Sequence, residues 1–236
     1  MARTLLFLLF FSPFLAASQN LEDDRLFFSE ALSMHLRDYN KKADAALKNN
    51  EIDLARRYFD SLVKYHLQGT VLDRLTFNGY NTSLRDFSEF EKPVILFTYD
   101  SWCIPNEGEI PVINRLCSEY SDLVDFVVLF WDDKKTVRKE SKRFDKDITI
   151  VYVDDTQNEH MQTVSLLKHA LGLNLSFVFS ASHEILDINR RLPNSLNVSY
   201  EDAYAQNASF ISSQLAAVYL DLNINPTEIQ ESLATW

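Results

Sequence analysis

Two stretches of this chain are apolar without a break: Val94-Ile95-Leu96-Phe97 and Phe126-Val127-Val128-Leu129-Phe130. A strand with one wet face alternates apolar and polar residues, so runs like these suit strands buried on both faces. That demands a layered α/β arrangement with helices above and below a sheet. Strands are expected at 94–99, 124–131, 148–153 and 176–180, with a hairpin partner at 184–189. Helices are expected at 105–120, 135–144, 160–171 and 201–219. A content of only 4 Gly in 236 residues argues against a turn-dense all-β fold.

Upstream of this alternation, residues 21–69 read as helix, with Leu26, Ala31, Leu32 and Leu36 at helical spacing. Asn49-Asn50-Glu51 breaks the run, and Leu54, Tyr58, Leu62 and Val63 open a second apolar face before Gly69. The expectation is an antiparallel helical hairpin over 19–70. It serves as a cover for the main domain, 71–236, or as a partner-binding or dimer-forming surface. No Gly-, Ser- or Pro-rich linker separates the two parts, so they are expected to share a core.

Residues 1–18 combine a basic start at Arg3, an apolar stretch from Thr4 to Ala16, and small residues at Ala16 and Ser18. This is the pattern of a cleaved export signal, too short to span a bilayer. A periplasmic or secreted location follows, with no membrane insertion after cleavage. Loss of that segment leaves 22 Lys and Arg against 34 acids, a net −12. An acidic product of this kind argues against nucleic acid or anionic lipid as a partner.

The candidate for chemistry is Cys103. The sequence Trp102-Cys103-Ile104-Pro105-Asn106 follows a strand and precedes an expected helix. A thiol at a helix N-terminus faces unpaired N–H groups and the positive end of the helix dipole, which favour the nucleophilic thiolate. Pro105 suits a first helical position. The only other cysteine, Cys117, would lie 14 residues along the same helix. At about 1.5 Å per residue that is about 21 Å, too far for a disulfide. Cys117 is therefore expected as an inert core thiol.

The run Gly79-Tyr80-Asn81-Thr82-Ser83-Leu84-Arg85-Asp86-Phe87, the strand 93–97, and Trp102-Cys103-x-Pro105 followed by Glu109-Ile110-Pro111 together resemble the TlpA/ResA-like branch of the thioredoxin superfamily. There the active site reads W-C-x-P-C-x-x-E-x-P. The likeness covers about residues 71–190 and takes in Trp131-Asp132-Asp133-Lys134. It implies a thioredoxin-like α/β fold, a central mixed sheet flanked by helices, here with the N-terminal helical hairpin as an extension.

The resemblance also locates the departures. Asn106 stands where the family has its second cysteine, so a disulfide captured by Cys103 must be released by an external thiol. Asn174 stands where the family has a cis-proline beside the active-site cysteine, or Leu175 does if the alignment slips by one residue. A cis bond without proline costs about 2.5–4 kcal/mol, so a trans bond is expected and a reshaped substrate groove at Asn174 and Leu175. Glu109 matches a glutamate that relays protons in the family. As an alternative it is a solvated residue in a helix's first turn, favoured there by the dipole.

Rival chemistries fit less well. A peroxiredoxin would carry threonine three residues before the cysteine and proline seven before it; this chain has Asp100 and Leu96. The pairs Asp132-Asp133 and Asp154-Asp155 read as loop acids, and the histidines have no metal-ligand spacing, so neither metal nor cofactor is expected. Two readings of function remain. In one, Cys103 is a lone thiol exchanging with protein or small-molecule thiols and disulfides. In the other, the chain is a redox-silent binding module on the same fold. An intermolecular disulfide through Cys103 would give a covalent homodimer.

Overall fold

In the computed structural model, which describes residues 25–103, 108–191 and 198–224, the two apolar runs become adjacent central strands of a six-stranded mixed sheet. The strands are β1 (Asn78–Gly79), β2 (Val94–Tyr99), β3 (Asp125–Phe130), β4 (Thr149–Tyr152), β5 (Leu175–Phe179) and β6 (Ile185–Arg190). Their order is β1-β4-β3-β2-β5-β6. Parallel pairing joins β2 to β3 and β3 to β4, and antiparallel pairing joins β2 to β5, β5 to β6 and β1 to β4. From β2 onward the chain runs strand, helix, strand, helix, strand, helix, β-hairpin, helix. This is the thioredoxin-like arrangement.

Every residue of β2 is buried, and its side chains alternate between two cores. Ile95, Phe97 and Tyr99 face α3 (Glu109–Tyr120) and α6 (Tyr200–Asp221). Val94 and Leu96 face the other way, onto α1 (Phe28–Lys48) and α2 (Ile52–Leu62). The N-terminal helical hairpin is thus the second covering layer, with Phe28 edge-on to Phe177 of β5 at 6.5 Å. Deleting a side chain such as Leu96 from this interior would cost about 2–5 kcal/mol.

Local signals explain most helix limits. The Glu30 carboxylate accepts from Phe27 N–H at 3.0 Å and closes the first turn of α1. Asn50, in the left-handed region at φ 60°, turns the chain between α1 and α2. Asp133 caps α4 (Lys134–Glu140), and Ser199 caps α6. The helix expected at 160–171 is instead a short α5 (Met161–Thr163) continuing as a π-helical turn over Val164–His169.

The helix expected from Pro105 begins at Glu109. Gly108 precedes it at φ 85°, a left-handed conformation that closes no α-helical turn, and a Cβ there would lie 2.9 Å from Tyr204 Cα. Cys103 therefore does not sit at the N-terminus of α3. Ile104, Pro105 and Asn106 lie outside the described residues, as does the expected leader at 1–18.

Candidate functional site at the end of the central strand

Beyond Tyr99 the chain turns through Asp100, Ser101 and Trp102 to Cys103, whose N–H donates to Asp100 O at 2.8 Å. Three anchors hold this turn. Ser101 N–H donates to Asp132 Oδ2 at 2.9 Å, and its hydroxyl donates to Asp132 Oδ1. Asp100, only 5% exposed, pairs with Lys168 Nζ at 2.9 Å. Lys168 also reaches Asp155 at 2.6 Å and lies over the Trp131 ring. Burial raises Asp132 above the usual carboxylate range despite its two bonds from Ser101. Lys168 is partly buried, which acts to lower it, yet the two carboxylates outweigh this and hold it above its ordinary value.

Cys103 is half-buried, and Trp102 beside it is 68% exposed. The thiol donates to Asn174 Oδ1 at 3.0 Å. Asn174 adopts φ 61° immediately before β5, and its carbonyl accepts from Arg191 N–H at 2.7 Å. Leu175 is fully buried in the core and its carbonyl accepts from Thr98 Oγ1, so Asn174 alone of the two faces the sulfur. The described peptide bonds are all trans. The amide oxygen is the acceptor in this bond; turning the amide over would offer its N–H to the sulfur instead.

Glu109 is neither solvated nor free. It is 5% exposed, accepts from Tyr99 Oη at 2.7 Å and is ion-paired with Arg191. The Arg191 guanidinium also donates to Thr98 O and stacks on Tyr99, 4.4 Å from the ring centre. Burial alone would lower Arg191; the negative charge of Glu109 prevails and raises it. Burial, followed by that same charge, pushes Tyr99 well above its ordinary value. A carboxylate committed to a buried guanidinium and a phenol is a structural anion, poorly suited to relay protons. Sequence reasoning misses Arg191, because nothing in its spacing shows that the end of β6 meets the start of α3.

Cys103 opens onto a cavity of about 210 Å³ walled by Tyr99, Phe130, Phe144 and Ile110, with Glu140 and Arg143 at its edge. The three rings pack at 5.8 to 6.0 Å from one another. Cys117 is fully buried on α3, its thiol pushed up to about 12 by burial and by Asp147, Asp145 and Asp125. Among the described residues, no group of three or more His, Cys, Asp or Glu is placed to hold a metal ion. Nor is any described helix long and apolar enough to cross a membrane.

Neither a family model nor a curated protein sequence matches this chain. Solved structures similar in fold include a thio-disulfide isomerase from Thermus thermophilus, at 17% identity over 62% of this chain and 94% of that one, with a TM-score of 0.45. A peroxidoxin, BcpB, from Mycobacterium tuberculosis aligns at 19% identity over 65% and 96%, with a TM-score of 0.45. The thioredoxin domain of a thiol-disulfide oxidoreductase from Bacteroides vulgatus aligns at 13% identity over 61% and 97%, with a TM-score of 0.43. Likenesses this distant leave the activity to be argued from the chain's own residues.

Proposed function

We propose that this chain is an exported thioredoxin-fold protein that exchanges disulfides through one thiol, Cys103. The observation carrying this reading is a half-exposed sulfur at the carboxyl end of the central strand, open to a cavity, while the second cysteine is buried inside α3. The Cys103 thiolate attacks a disulfide in a protein or small-molecule partner; a new S–S bond forms and the partner's other sulfur leaves as thiolate. A second thiol from outside then attacks the mixed disulfide and frees Cys103. Asn106, an amide, cannot perform that second step. Export to a periplasm or secretory space rests on residues 1–18.

A second reading, a redox-silent binding module, is favoured by two bonds: the acceptor oxygen of Asn174 on the thiol and the ion pair that occupies Glu109. Trapping separates them. The exported protein, purified from its host without reductant, should carry a disulfide-linked partner on Cys103 that is released by dithiothreitol and missing from Cys103→Ser. A homodimer band on non-reducing electrophoresis would mean that the partner is a second copy. Cys103 recovered wholly as free thiol would favour the silent module.

A further inference from the structure

Ten consecutive residues, Lys134 to Arg143, carry six Lys or Arg and one acid, a net +5 in a chain of net −11. All six basic side chains are exposed. The segment is firmly seated: Val137 is fully buried, Asp133 Oδ1 accepts from Thr136 N–H at 2.7 Å, and Arg143 O accepts from Asn114 Nδ2 at 3.0 Å. Glu140 lies between Lys139 at 3.4 Å and Arg143 at 3.6 Å. Lys134, Lys135, Arg138 and Lys142 have no ion-pair partner among the described residues. Four cations are thus left to face solvent.

The end of this segment forms one side of the Cys103 cavity, through Glu140 and Arg143, with Phe144 immediately after it. A partner whose sulfur reaches Cys103 would come within a few side-chain lengths of the basic helix. We propose that residues 134–143 are the docking surface for an acidic polypeptide segment carrying the sulfur that Cys103 exchanges with. This rests on the reading of Cys103 as the exchanging thiol.

Charge complementarity and extent select that partner. The seven residues of α4 span about 10 Å. Acids border them, Asp132 and Asp133 before and Asp145 and Asp147 after, and the rest of the chain carries −16. A duplex or an anionic membrane laid across the site would meet these acids as well, whereas a short acidic segment fits on the strip without reaching them, and the one acid within it, Glu140, is already paired with Lys139 and Arg143. In the exchange, the Cys103 thiolate attacks a disulfide of the partner, one S–S bond forms as another breaks, and the displaced sulfur departs with the electron pair. No outside oxidant is needed.

The test uses the full chain and peptides that differ only in the residues flanking one cysteine, glutamate, lysine or glutamine. Each is presented as its mixed disulfide with thionitrobenzoate, so that release of the chromophore reports exchange. The glutamate peptide should react at least about tenfold faster than the lysine peptide at about 50 mM salt, with the ratio nearing one at about 1 M. Charge reversal in Lys135→Glu/Arg138→Glu/Lys142→Glu should invert the order and leave the glutamine peptide within about twofold. Serine versions of the peptides, followed by fluorescence anisotropy, read docking without the thiol. Tight glutamate-peptide binding with no reaction at Cys103 sinks the exchange reading and leaves the surface standing. Equal binding of all three peptides, preference for lysine, or tighter binding of phosphatidylglycerol vesicles or duplex DNA overturns the surface.

Discussion

Replacing Arg191 by methionine removes the guanidinium and leaves the Glu109 carboxylate buried with the Tyr99 hydroxyl as its remaining partner among the described residues. Breaking one side of a buried pair costs about 3–5 kcal/mol, since the charge left behind is neither solvated nor neutralised. That is a large part of the roughly 5–15 kcal/mol that holds a domain together. The double variant Glu109→Gln/Arg191→Met leaves no buried charge at these two positions, and the introduced amide carbonyl can still accept from Tyr99. It should therefore be more stable than Arg191→Met alone, although it carries one more substitution. Urea unfolding followed by circular dichroism of the wild type, Glu109→Gln, Arg191→Met and the double variant gives the three losses. A cost below about 1 kcal/mol for Arg191→Met, or a double-variant loss equal to the sum of the two single losses, would refute the assignment of Glu109 as a structural anion.

Asn174→Gly keeps the left-handed backbone and removes the oxygen that accepts from Cys103. Iodoacetamide should then label Cys103 faster, up to about tenfold, the equivalent of one neutral hydrogen bond; an unchanged rate would show that the bond does not restrain the thiol. His160, also left-handed at φ 53°, holds Nδ1 2.7 Å from Thr76 Oγ1 while its Nε2 is buried with no hydrogen-bond partner among the described residues. Burial lowers this ring below 6.5, against the charge of Glu159, so the folded chain binds its proton more weakly than the unfolded chain does. Its contribution is complete above pH 6.5 and lost as pH falls below that value. His160→Asn should flatten that part of the stability profile, as chemical denaturation from about pH 7 to pH 5 would show.

The fold is legible in the sequence because apolar runs at 94–97 and 126–130 leave few arrangements other than a covered sheet, and because Asn49-Asn50-Glu51 marks the hairpin turn so plainly. The start of α3 is not: Pro105 is a good first helical residue, but Gly108, held against Tyr204, fixes a start four residues later. Helix 160–171 has a helical apolar pattern that does not separate an α-turn from the wider π-turn found over Val164–His169. At the site, Cys103 is readable from its position after a strand, and Asn174 only through the family resemblance, which puts it where a cis-proline would face the cysteine. Arg191 and Lys168 are not, since each is made important by a carboxylate more than 60 residues away in sequence. The basic strip at 134–143 is visible in the sequence, but the whole-chain charge conceals it.

The central claim is that Cys103 is a lone, accessible, exchanging thiol. Incubating the reduced full chain with oxidised glutathione, then mapping peptides by mass, tests it directly. The account predicts one glutathionyl group, on Cys103, removed by excess glutathione, with Cys117 unmodified. No adduct under conditions where free cysteine reacts, or an adduct on Cys117, would contradict it.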